Sequence, residues 1–324
     1  EKAVPEVRLL VRGNPEQPLG EALPPQALTA LSMLEPDLGN LETGEGTRRA
    51  ALAHWITEPS NPLTRRVIVN RLWQWHFGQG IVKTASDFGY GGDRPSHPEL
   101  LDWLAEELIQ KGWSLKEMHR LILLSETYQQ TSFSHAKGTE TDADNRLLWR
   151  QNPHRLEAEA IRDAVLFVSG KLNPERGGPG FEDFEYQDAY APIYTYITAD
   201  TPALWKRSIY RYVVRTTPNR FLTTLDCPDP ANLTARRLTT TTPLQSLALY
   251  NNEFMLKQAQ YLAERIELET GNLVPEQVER AFELSFSRAP SEQERELATD
   301  FVAAQGLFAL CRSLLNSNEF VYVD

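Results

Sequence analysis

The sequence predicts a mainly α-helical protein in which helical hairpins pack around a small β-containing middle region. Three observations predict this fold class. Most of the chain after residue 46 carries apolar residues every three or four positions, which is the spacing of a buried helix face. Several of these segments begin with a small polar residue that has Glu or Gln three positions later. Between about residues 171 and 240, helix formers are scarce and tyrosines and glycines are frequent.

Residues 1–46 are interpreted as an N-terminal strand followed by a surface arm or linker. The strand-like run from Val7 to Arg12 ends at a Gly-Asn-Pro turn, and the stretch to Gly46 is rich in Pro, Gly and Glu. From residue 47 to residue 324 we expect a single mainly helical domain, with a β or loop insert at about 171–240. No basic and apolar leader precedes the first strand, and we expect the chain to be a piece of a longer protein.

Helical periodicity and start signals together place the helices. We expect them at about residues 48–58, 62–77, 98–110, 115–130, 154–169, 243–268, 275–287, 292–304 and 308–318. The four capping pairs are Ser96 with Glu99, Ser114 with Glu117, Thr242 with Gln245, and Ser291 with Glu294. Gly112 separates two adjacent helices and predicts an antiparallel hairpin.

The middle region contains one strong strand candidate, from Ser208 to Thr216, which is rich in β-branched and aromatic residues. Alternation along a strand would place Arg211 and Arg215 on one face. We therefore interpret Arg211, Arg215 and the following Arg220 as candidate binding residues for an anionic group. Bases dominate residues 206–237 and acids dominate 264–300, so pairing within the protein is the simpler use of this charge.

Composition excludes several classes of protein. With 41% hydrophobic and 24% charged residues, the chain has the composition of an ordinary globular protein. Its apolar runs are shorter than the roughly 18 residues that a membrane span needs, so we expect no span in this chain. The formal net charge of -11 argues against nonspecific nucleic-acid binding, which requires a surplus of Lys and Arg.

No complete catalytic signature occurs in the sequence, but four carboxylates are candidates for acid-base chemistry: Glu157, Glu159, Asp226 and Asp229. Arg155 and Arg162 lie at helical spacing from Glu159, and this pattern favours a structural ion-pair network over catalysis. The two aspartates of the proline-rich loop could bind a cation or a sugar hydroxyl, although turn capping is the simpler role.

Histidine and cysteine spacing predicts no metal or haem site in this chain. None of the six histidines belongs to a ligand-spaced pair, and a meeting of His76 with His97 in space is the remaining option. Cys227 and Cys311 are interpreted as two buried thiols, with a single long-range bridge left open. No Cys-x-x-Cys-His motif occurs, so the chain itself holds no covalently attached haem.

Several sequence blocks together resemble the planctomycete-type PSD domain, domain-of-unknown-function family 1553. The resemblance extends over nearly everything from residue 47 onward. The blocks that carry it lie at residues 61–74, 76–82, 86–89, 97–104, 145–150, 155–163, 207–210, 240–245 and 314–320. Two further binding candidates, Asp87 and His97, fall within these blocks; for His97, which precedes a helix start, a capping or turn role is the simpler explanation.

The resemblance implies a C-terminal module of an exported multidomain protein, often fused to a c-type cytochrome module, in the periplasm or cell envelope. A c-type haem is then expected only in a neighbouring domain of the precursor. The expected partners are other domains of the same precursor, a cytochrome, or an anionic polysaccharide. We expect an accessory or binding module; the alternatives are a carbohydrate-active enzyme that uses paired carboxylates and a structural subunit of a cell-envelope assembly.

Overall fold

The computed structural model describes residues 6–28, 31, 34, 37–40, 42–198 and 200–323. The chain forms two compact units, residues 1–152 and 153–324. Helices dominate the described residues and the sheets have only two strands each, which confirms the mainly α fold class. The boundary between the units lies far from residue 46, and the single domain from residue 47 onward stays a prediction. No described helix is both long enough and apolar enough to cross a membrane.

The first unit starts with a short antiparallel hairpin and continues with helices. Residues 29–30, 32–33, 35–36 and 41 of the predicted arm lie outside the described residues. The elements of this unit are β1 (Leu9–Leu10), β2 (Pro18–Leu19), α1 (Glu45–Thr57), α2 (Pro62–Phe77), α3 (Pro98–Gln110), α4 (Leu115–Leu123) and α5 (Ala136–Thr141).

The core of the first unit lies where α2 packs on α3 and α4. Leu72, Leu104, Leu108 and Met118 are all buried there, and each such side chain contributes about 1.5–3 kcal/mol through its removal from water. Helix α4 ends at Leu123, so the predicted extension to residue 130 is wrong. The side chain of Ser125 donates to the carbonyl of Ile122 at 2.7 Å, which closes a turn in place of a further helical turn.

The second unit contains a larger set of helices and two small antiparallel sheets. Strand β3 pairs with β6, and β4 forms a hairpin with β5. The elements are β3 (His154–Arg155), α6 (Ala158–Val168), β4 (Phe184–Gln187), β5 (Ile193–Tyr196), α7 (Arg220–Thr224), α8 (Pro243–Asn251), α9 (Glu253–Thr270), α10 (Val274–Phe286), α11 (Glu292–Gln305), α12 (Leu307–Leu314), α13 (Asn318–Val321) and β6 (Tyr322–Val323).

The long helix α9 forms the centre of the second core and packs against α6, α10 and α12. Its residues Leu262 and Ile266 are fully buried, as are Ile161 and Val165 of α6 and Cys311 of α12. Cys311 thus occupies the core as a small apolar side chain. This core fixes α6, whose N-terminal half carries the charged residues discussed below.

Two of the four predicted capping pairs form complete capping boxes. The side chain of Thr242 accepts from the backbone of Gln245, whose side chain accepts in return from the backbone of Thr242. Ser291 and Glu294 make the same reciprocal pair at the start of α11. Each box satisfies backbone N–H groups that a helix start leaves free, which is why the sequence pattern locates both starts.

The other two pairs differ from the prediction. Ser114 accepts from the backbone of Glu117, but no reciprocal bond completes a box. Helix α3 begins at Pro98, as predicted, but His97 and not Ser96 takes the capping position. His97 therefore lies at the helix start as predicted, although its side chain makes no capping hydrogen bond.

The helix predicted at 243–268 is two helices. Asn252 has an extended conformation, with φ -62° and ψ 138°, and this breaks the helical path between α8 and α9. Its side chain accepts a hydrogen bond of 3.0 Å from the backbone of Phe254 and so begins the second helix. Asparagine fits this position because its short side chain reaches the backbone of the first turn.

The strand predicted from Ser208 to Thr216 does not form. A 3-10 turn occupies Ser208–Tyr210, and Arg211 makes only an isolated bridge with Phe181. The turn is fixed by Asp163, whose Oδ1 accepts from both the backbone N–H and the hydroxyl of Ser208, each at 2.7 Å. These hydrogen bonds to a side chain that is distant in sequence outweigh the strand propensity of the segment.

Candidate functional site

Two pockets open in the second unit, on either side of the segment from Pro218 to Leu222. The large pocket has a volume of about 440 Å³, and its wall includes Arg162, Asp183, Tyr194, Tyr196, Asn219 and Arg220. The small pocket has a volume of about 230 Å³, and its wall includes Glu159, Arg211, Val213, Leu222, Cys227 and Arg237. Residues Pro218, Asn219 and Leu222 line both.

Arg162 anchors the wall of the large pocket from helix α6. Its guanidinium donates to the carbonyl of Leu204 at 2.6 Å, to that of Lys206 at 3.0 Å and to the hydroxyl of Ser208 at 3.2 Å. It also lies 5.2 Å from the ring of Phe181. Burial lowers the pKa of Arg162 to about 10, although the charges of nearby aspartates oppose this effect. The group is still protonated at neutral pH.

This arrangement corrects the predicted ion ladder along α6. Arg162 does not bond to Glu159, because its guanidinium is used by the carbonyl groups of the segment from Leu204 to Lys206. Arg155 does not bond to Glu159 either, because the helix begins only at Ala158. The side chains of Arg155, Glu159 and Arg162 therefore contact three different parts of the unit.

Asp183 and Arg211 form a buried ion pair behind the large pocket. Arg211 Nε donates to Asp183 Oδ2 at 2.7 Å, and the side chains are 7% and 8% exposed, respectively. Asn219 Nδ2 also donates to Oδ2, at 3.3 Å. The second oxygen of Asp183, Oδ1, is buried and accepts no hydrogen bond within the described part of the chain.

The β4–β5 hairpin supplies aromatic rings to the same pocket. Tyr194 and Tyr196 line it from β5, and both rings contact Phe184 of β4 edge to face, at 5.2 and 6.0 Å. The hydroxyl of Tyr196 donates to the carbonyl of Thr217, and Arg211 lies 5.2 Å from its ring. These contacts hold Tyr196 in a fixed orientation, so the pocket has a preformed aromatic side.

Glu159 and Arg237 form the charged side of the small pocket. Arg237 donates from both Nη atoms to the two oxygens of Glu159, at 2.6 and 3.1 Å. Burial alone would raise the pKa of Glu159, but the hydrogen bonds and charge of Arg237 lower it overall. Glu159 therefore stays ionised at neutral pH, which is unsuitable for a general acid.

Cys227 lies 3.5 Å from Glu159 across the small pocket. Burial, and secondly the negative charge of Glu159, raise the pKa of the Cys227 thiol to about 11. A nucleophilic cysteine requires a lowered pKa, so this environment does not activate the thiol. Both Cys227 and Cys311 are free thiols.

Asp226 is held by four donors in the loop that follows α7. Its oxygens accept from Arg155 at 2.7 Å, from the backbone and hydroxyl of Thr240 at 2.7 and 2.9 Å, and from Gln245 at 3.0 Å. Burial raises the pKa of Asp226, but the Thr240, Arg155 and Gln245 hydrogen bonds lower it overall. The residue ties the loop to both β3 and α8.

The remaining two carboxylates have structural partners as well. Glu157 lies 3.2 Å from Arg237. Asp229 caps its own loop, because its oxygens accept from the backbone of Ala231 at 2.9 Å and from the side chain of Asn232 at 2.6 Å. All four candidate carboxylates thus have partners inside the fold, and three of the four pair with one of two arginines, Arg155 and Arg237.

The structure separates the three arginines that the sequence analysis named as binding candidates. Arg211 is buried against Asp183, whereas Arg215 and Arg220 are exposed. Arg220 lines the large pocket, but Arg215 lines neither pocket. Among the described residues, no carboxylate binds the guanidinium of Arg215 or of Arg220.

The two other binding candidates, His97 and Asp87, belong to the first unit. His97 Nδ1 lies 2.9 Å from the hydroxyl of Ser96 at the edge of a cavity of about 30 Å³. Asp87 is exposed, and its Oδ1 accepts from the backbone of Gly89 at 2.8 Å. Asp87 therefore caps a turn.

A histidine pair forms in the first unit, but not the pair that the sequence suggested. His76 Nε2 lies 2.8 Å from Nδ1 of His119, and the Tyr128 ring packs against His76. Burial, and secondly the charge of His119, lower the pKa of His76. Within the described residues, no group of three or more His, Cys, Asp or Glu side chains is arranged to hold a metal ion.

Comparison with known families is consistent with the sequence blocks. Residues 48–302 match the family model described as PSD1, a protein of unknown function (DUF1553). This match covers more than half of the chain. The chain belongs to the DUF1553 family. No curated protein and no solved structure matches it.

Sequence patterns single out Arg211, Arg220 and Glu159 of this DUF1553 site, but not Asp183 and Arg237, the partners of Arg211 and Glu159. Asp183 follows a Gly-rich turn and meets Arg211, which is 28 positions away, only in the folded unit. Arg237 is one of many arginines in a basic stretch, and its partner Glu159 is 78 positions away. The cluster of tyrosines between residues 186 and 196 is the one local signal of the large pocket.

Proposed function

We propose that the chain is a binding module of an exported multidomain protein, located in the periplasm or cell envelope, and that the large pocket binds an anionic polysaccharide. The observation that carries this proposal is the exposed guanidinium of Arg220, which lines an aromatic pocket and has no carboxylate partner among the described residues. The exported setting follows from the family resemblance.

The pocket combines the two kinds of group that an acidic sugar requires. The faces of Tyr194 and Tyr196 offer apolar surface to the C–H groups of a sugar ring. Arg220 can bind a carboxylate or sulfate group through two parallel hydrogen bonds. A volume of about 440 Å³ is within the range of small-ligand pockets.

The large pocket is also better suited to binding than to acid-base catalysis. Two carboxylates line it: Asp183, which is paired with Arg211, and Glu253, which lies in the first turn of α9. The candidate carboxylates from the sequence line no part of it, and each has a partner within the unit: Glu157, Glu159, Asp226 and Asp229. A glycosidase needs one carboxyl group that can give up a proton near neutral pH. The lowered pKa values of Glu159 and Asp226 oppose this role.

Affinity measurements with the full chain test the proposal. The probes are polygalacturonate, a sulfated galactan and neutral dextran, measured by isothermal titration calorimetry. We expect an acidic polymer to bind and dextran not to bind, with affinity falling as NaCl increases, because exposed charges are screened. Arg220→Ala should weaken binding by about 10- to 100-fold, the equivalent of one charge-assisted hydrogen bond.

Arg176→Ala is the matched control. Arg176 is exposed, lies in the same unit, lines neither pocket and binds no carboxylate among the described residues. Its replacement removes the same charge and should leave the affinity unchanged. Equal losses in both variants, or no binding of either acidic polymer, would refute the proposal. Binding of a soluble c-type cytochrome in place of a glycan would support cytochrome docking instead.

A further inference from the structure

Two helix starts of similar sequence line the large pocket. Residues 219–221 form the start of α7 and residues 252–254 form the start of α9, and each segment consists of an asparagine, a charged residue and a phenylalanine. All six residues line the pocket. The rings of Phe221 and Phe254 lie 5.7 Å apart, so the two segments are neighbours in the folded unit. The start of α7 therefore contributes a cation to the pocket, and the start of α9 contributes an anion.

The two charged side chains, Arg220 and Glu253, are both available to a ligand. Both residues are exposed, and neither side chain forms an ion pair or a hydrogen bond with a described residue. Each helix is capped by the preceding asparagine, whose side chain accepts from a backbone N–H of the first turn at 3.2 Å in α7 and 3.0 Å in α9. The other charged residues of the pocket, Arg162 and Asp183, bond within the protein.

These two opposite charges restrict which acidic sugars fit the pocket. Arg220 binds an acidic group through charge-assisted hydrogen bonds. The carboxylate of Glu253 offers only acceptors, so it binds a group that donates, such as a hydroxyl, and repels a second acidic group. A pocket with cations alone would instead bind a sugar more tightly as the number of its acidic groups increases. The pocket therefore fits a sugar unit that has an acidic group on one side and free hydroxyls on the other.

We propose that Glu253 makes the large pocket specific for acidic sugars of low charge density. Glu253 accepts a hydrogen bond from a free hydroxyl of the sugar unit whose acidic group binds Arg220. It repels sugars in which sulfate groups replace these hydroxyls. This inference rests on the proposed function, because it assigns a role within the same pocket.

A change in the ligand tests this role. Oligogalacturonate and an oligosaccharide of sulfated galactan are each compared with their fully O-sulfated forms by isothermal titration calorimetry. Full sulfation removes the hydroxyl donors and adds negative charge. We expect the unmodified chain to bind the O-sulfated forms about 10-fold more weakly, because a hydrogen bond to a charged acceptor is lost and like charges are brought together. Attraction to Arg220 alone would give the opposite order of affinities.

Glu253→Gln separates the effect of charge from that of bulk. The amide has nearly the size of the carboxylate and keeps one acceptor, and its NH₂ group can donate to a sulfate. The variant should bind the O-sulfated forms about 10-fold more tightly than the unmodified chain does, so the preference for free hydroxyls should disappear. If the variant keeps the full preference, the bulk of the sulfate groups is responsible and the assignment of Glu253 is wrong.

Glu276→Gln is the matched control. Glu276 is exposed, lies in the first turn of α10 in the same unit, and lines neither pocket. Its replacement removes the same charge, and with it a similar interaction with a helix dipole. The formal net charge of -11 repels densely sulfated ligands in general, and this control measures that effect. The preference for free hydroxyls should remain in Glu276→Gln, and equal changes in the two variants would refute the role of Glu253.

The outcomes distinguish this inference from the proposed function. If the unmodified chain binds the O-sulfated forms as tightly as the free forms, or more tightly, the role of Glu253 is overturned and the glycan-binding proposal stands. No binding of either acidic oligosaccharide, in either form, would overturn both. Circular dichroism verifies that the variants fold. Glu253→Ser also lacks the charge, and it replaces Glu253→Gln if the latter does not fold.

Discussion

Arg237 binds both oxygens of Glu159, with distances of 2.6 and 3.1 Å, although the two residues are 78 positions apart in the chain. The pair joins an exposed loop to the first turn of α6, whose far side is buried in the core of the second unit. It also keeps Glu159 ionised next to the thiol of Cys227. The charged cluster around Glu159, which the sequence offered as a candidate for acid-base catalysis, therefore connects a loop to a helix.

Replacement of Arg237 by Gln should lower the free energy of unfolding by about 1 kcal/mol at pH 7, because the pair is well formed but partly exposed. Glu159 has a lowered pKa in the folded state, so its contribution is present above its unfolded pKa and is lost as the pH falls through the folded value. The difference between the variant and the unmodified chain should therefore be smaller at pH 3 than at pH 7.

Urea denaturation at the two pH values measures this effect. Arg236→Gln serves as the control, because Arg236 is exposed and binds no carboxylate among the described residues. Its replacement should have little effect at either pH. An equal difference for Arg237→Gln at pH 3 and pH 7 would contradict the assigned ion pair.

The sequence predicts local structure well where all the residues that fix an element lie within one short segment. The capping boxes at Thr242 and Ser291 involve only residues three positions apart, and both helix starts are correct. The segment after Ser208 has strand propensity, but Asp163, 45 positions away, fixes it as a turn. The partners of the site residues are also far away in the sequence, so the sequence alone does not identify them.

A second prediction distinguishes Arg211 from Arg215. Arg211→Ala should destabilise the second unit by about 3–5 kcal/mol, because it leaves the Asp183 carboxylate buried without its counter-charge. Arg215→Ala should change the stability by no more than about 0.5 kcal/mol, since Arg215 is exposed. Urea denaturation at pH 7 measures both values. Similar, small effects of the two replacements would mean that the buried pair is absent.

A third prediction concerns the reactivity of the cysteines. Burial, and then Glu159, raise the pKa of Cys227 from 9.0 to about 11, so its thiolate fraction near pH 8 is lowered by about a hundredfold. Iodoacetamide should modify it correspondingly slowly, and Glu159→Gln should accelerate the reaction by removing the adjacent negative charge. Cys311, whose pKa burial raises to about 12, should react only after unfolding.

Mass spectrometry of the alkylated chain follows both cysteines at once. Each should be modified fully in guanidinium chloride, which shows that neither is bridged. If Cys227 in the folded chain reacts as fast as a free thiol, the assignment of its side chain to a buried position next to Glu159 is wrong.

The final prediction uses the histidine pair of the first unit. The pKa of His76 is lowered in the folded state, first by burial and then by the charge of His119, which lies 2.8 Å away. The folded state thus favours the neutral imidazole, whereas the unfolded chain takes up a proton below about pH 6.5. Stability conferred by the pair should be complete above this pH and should be lost as the pH falls towards 5.

Replacement of His76 by Gln should make the stability of the first unit less dependent on pH between 7 and 5. The variant lacks the imidazole whose pKa is lower in the folded state than in the unfolded state. His54→Gln is the matched control: His54 is exposed on α1 and has no ring or hydrogen-bond partner among the described residues through its imidazole. Its replacement should leave the pH dependence as it is. Thermal unfolding at pH 5, 6 and 7 measures all three chains, and identical pH profiles would show that the two imidazoles do not share a half-buried contact.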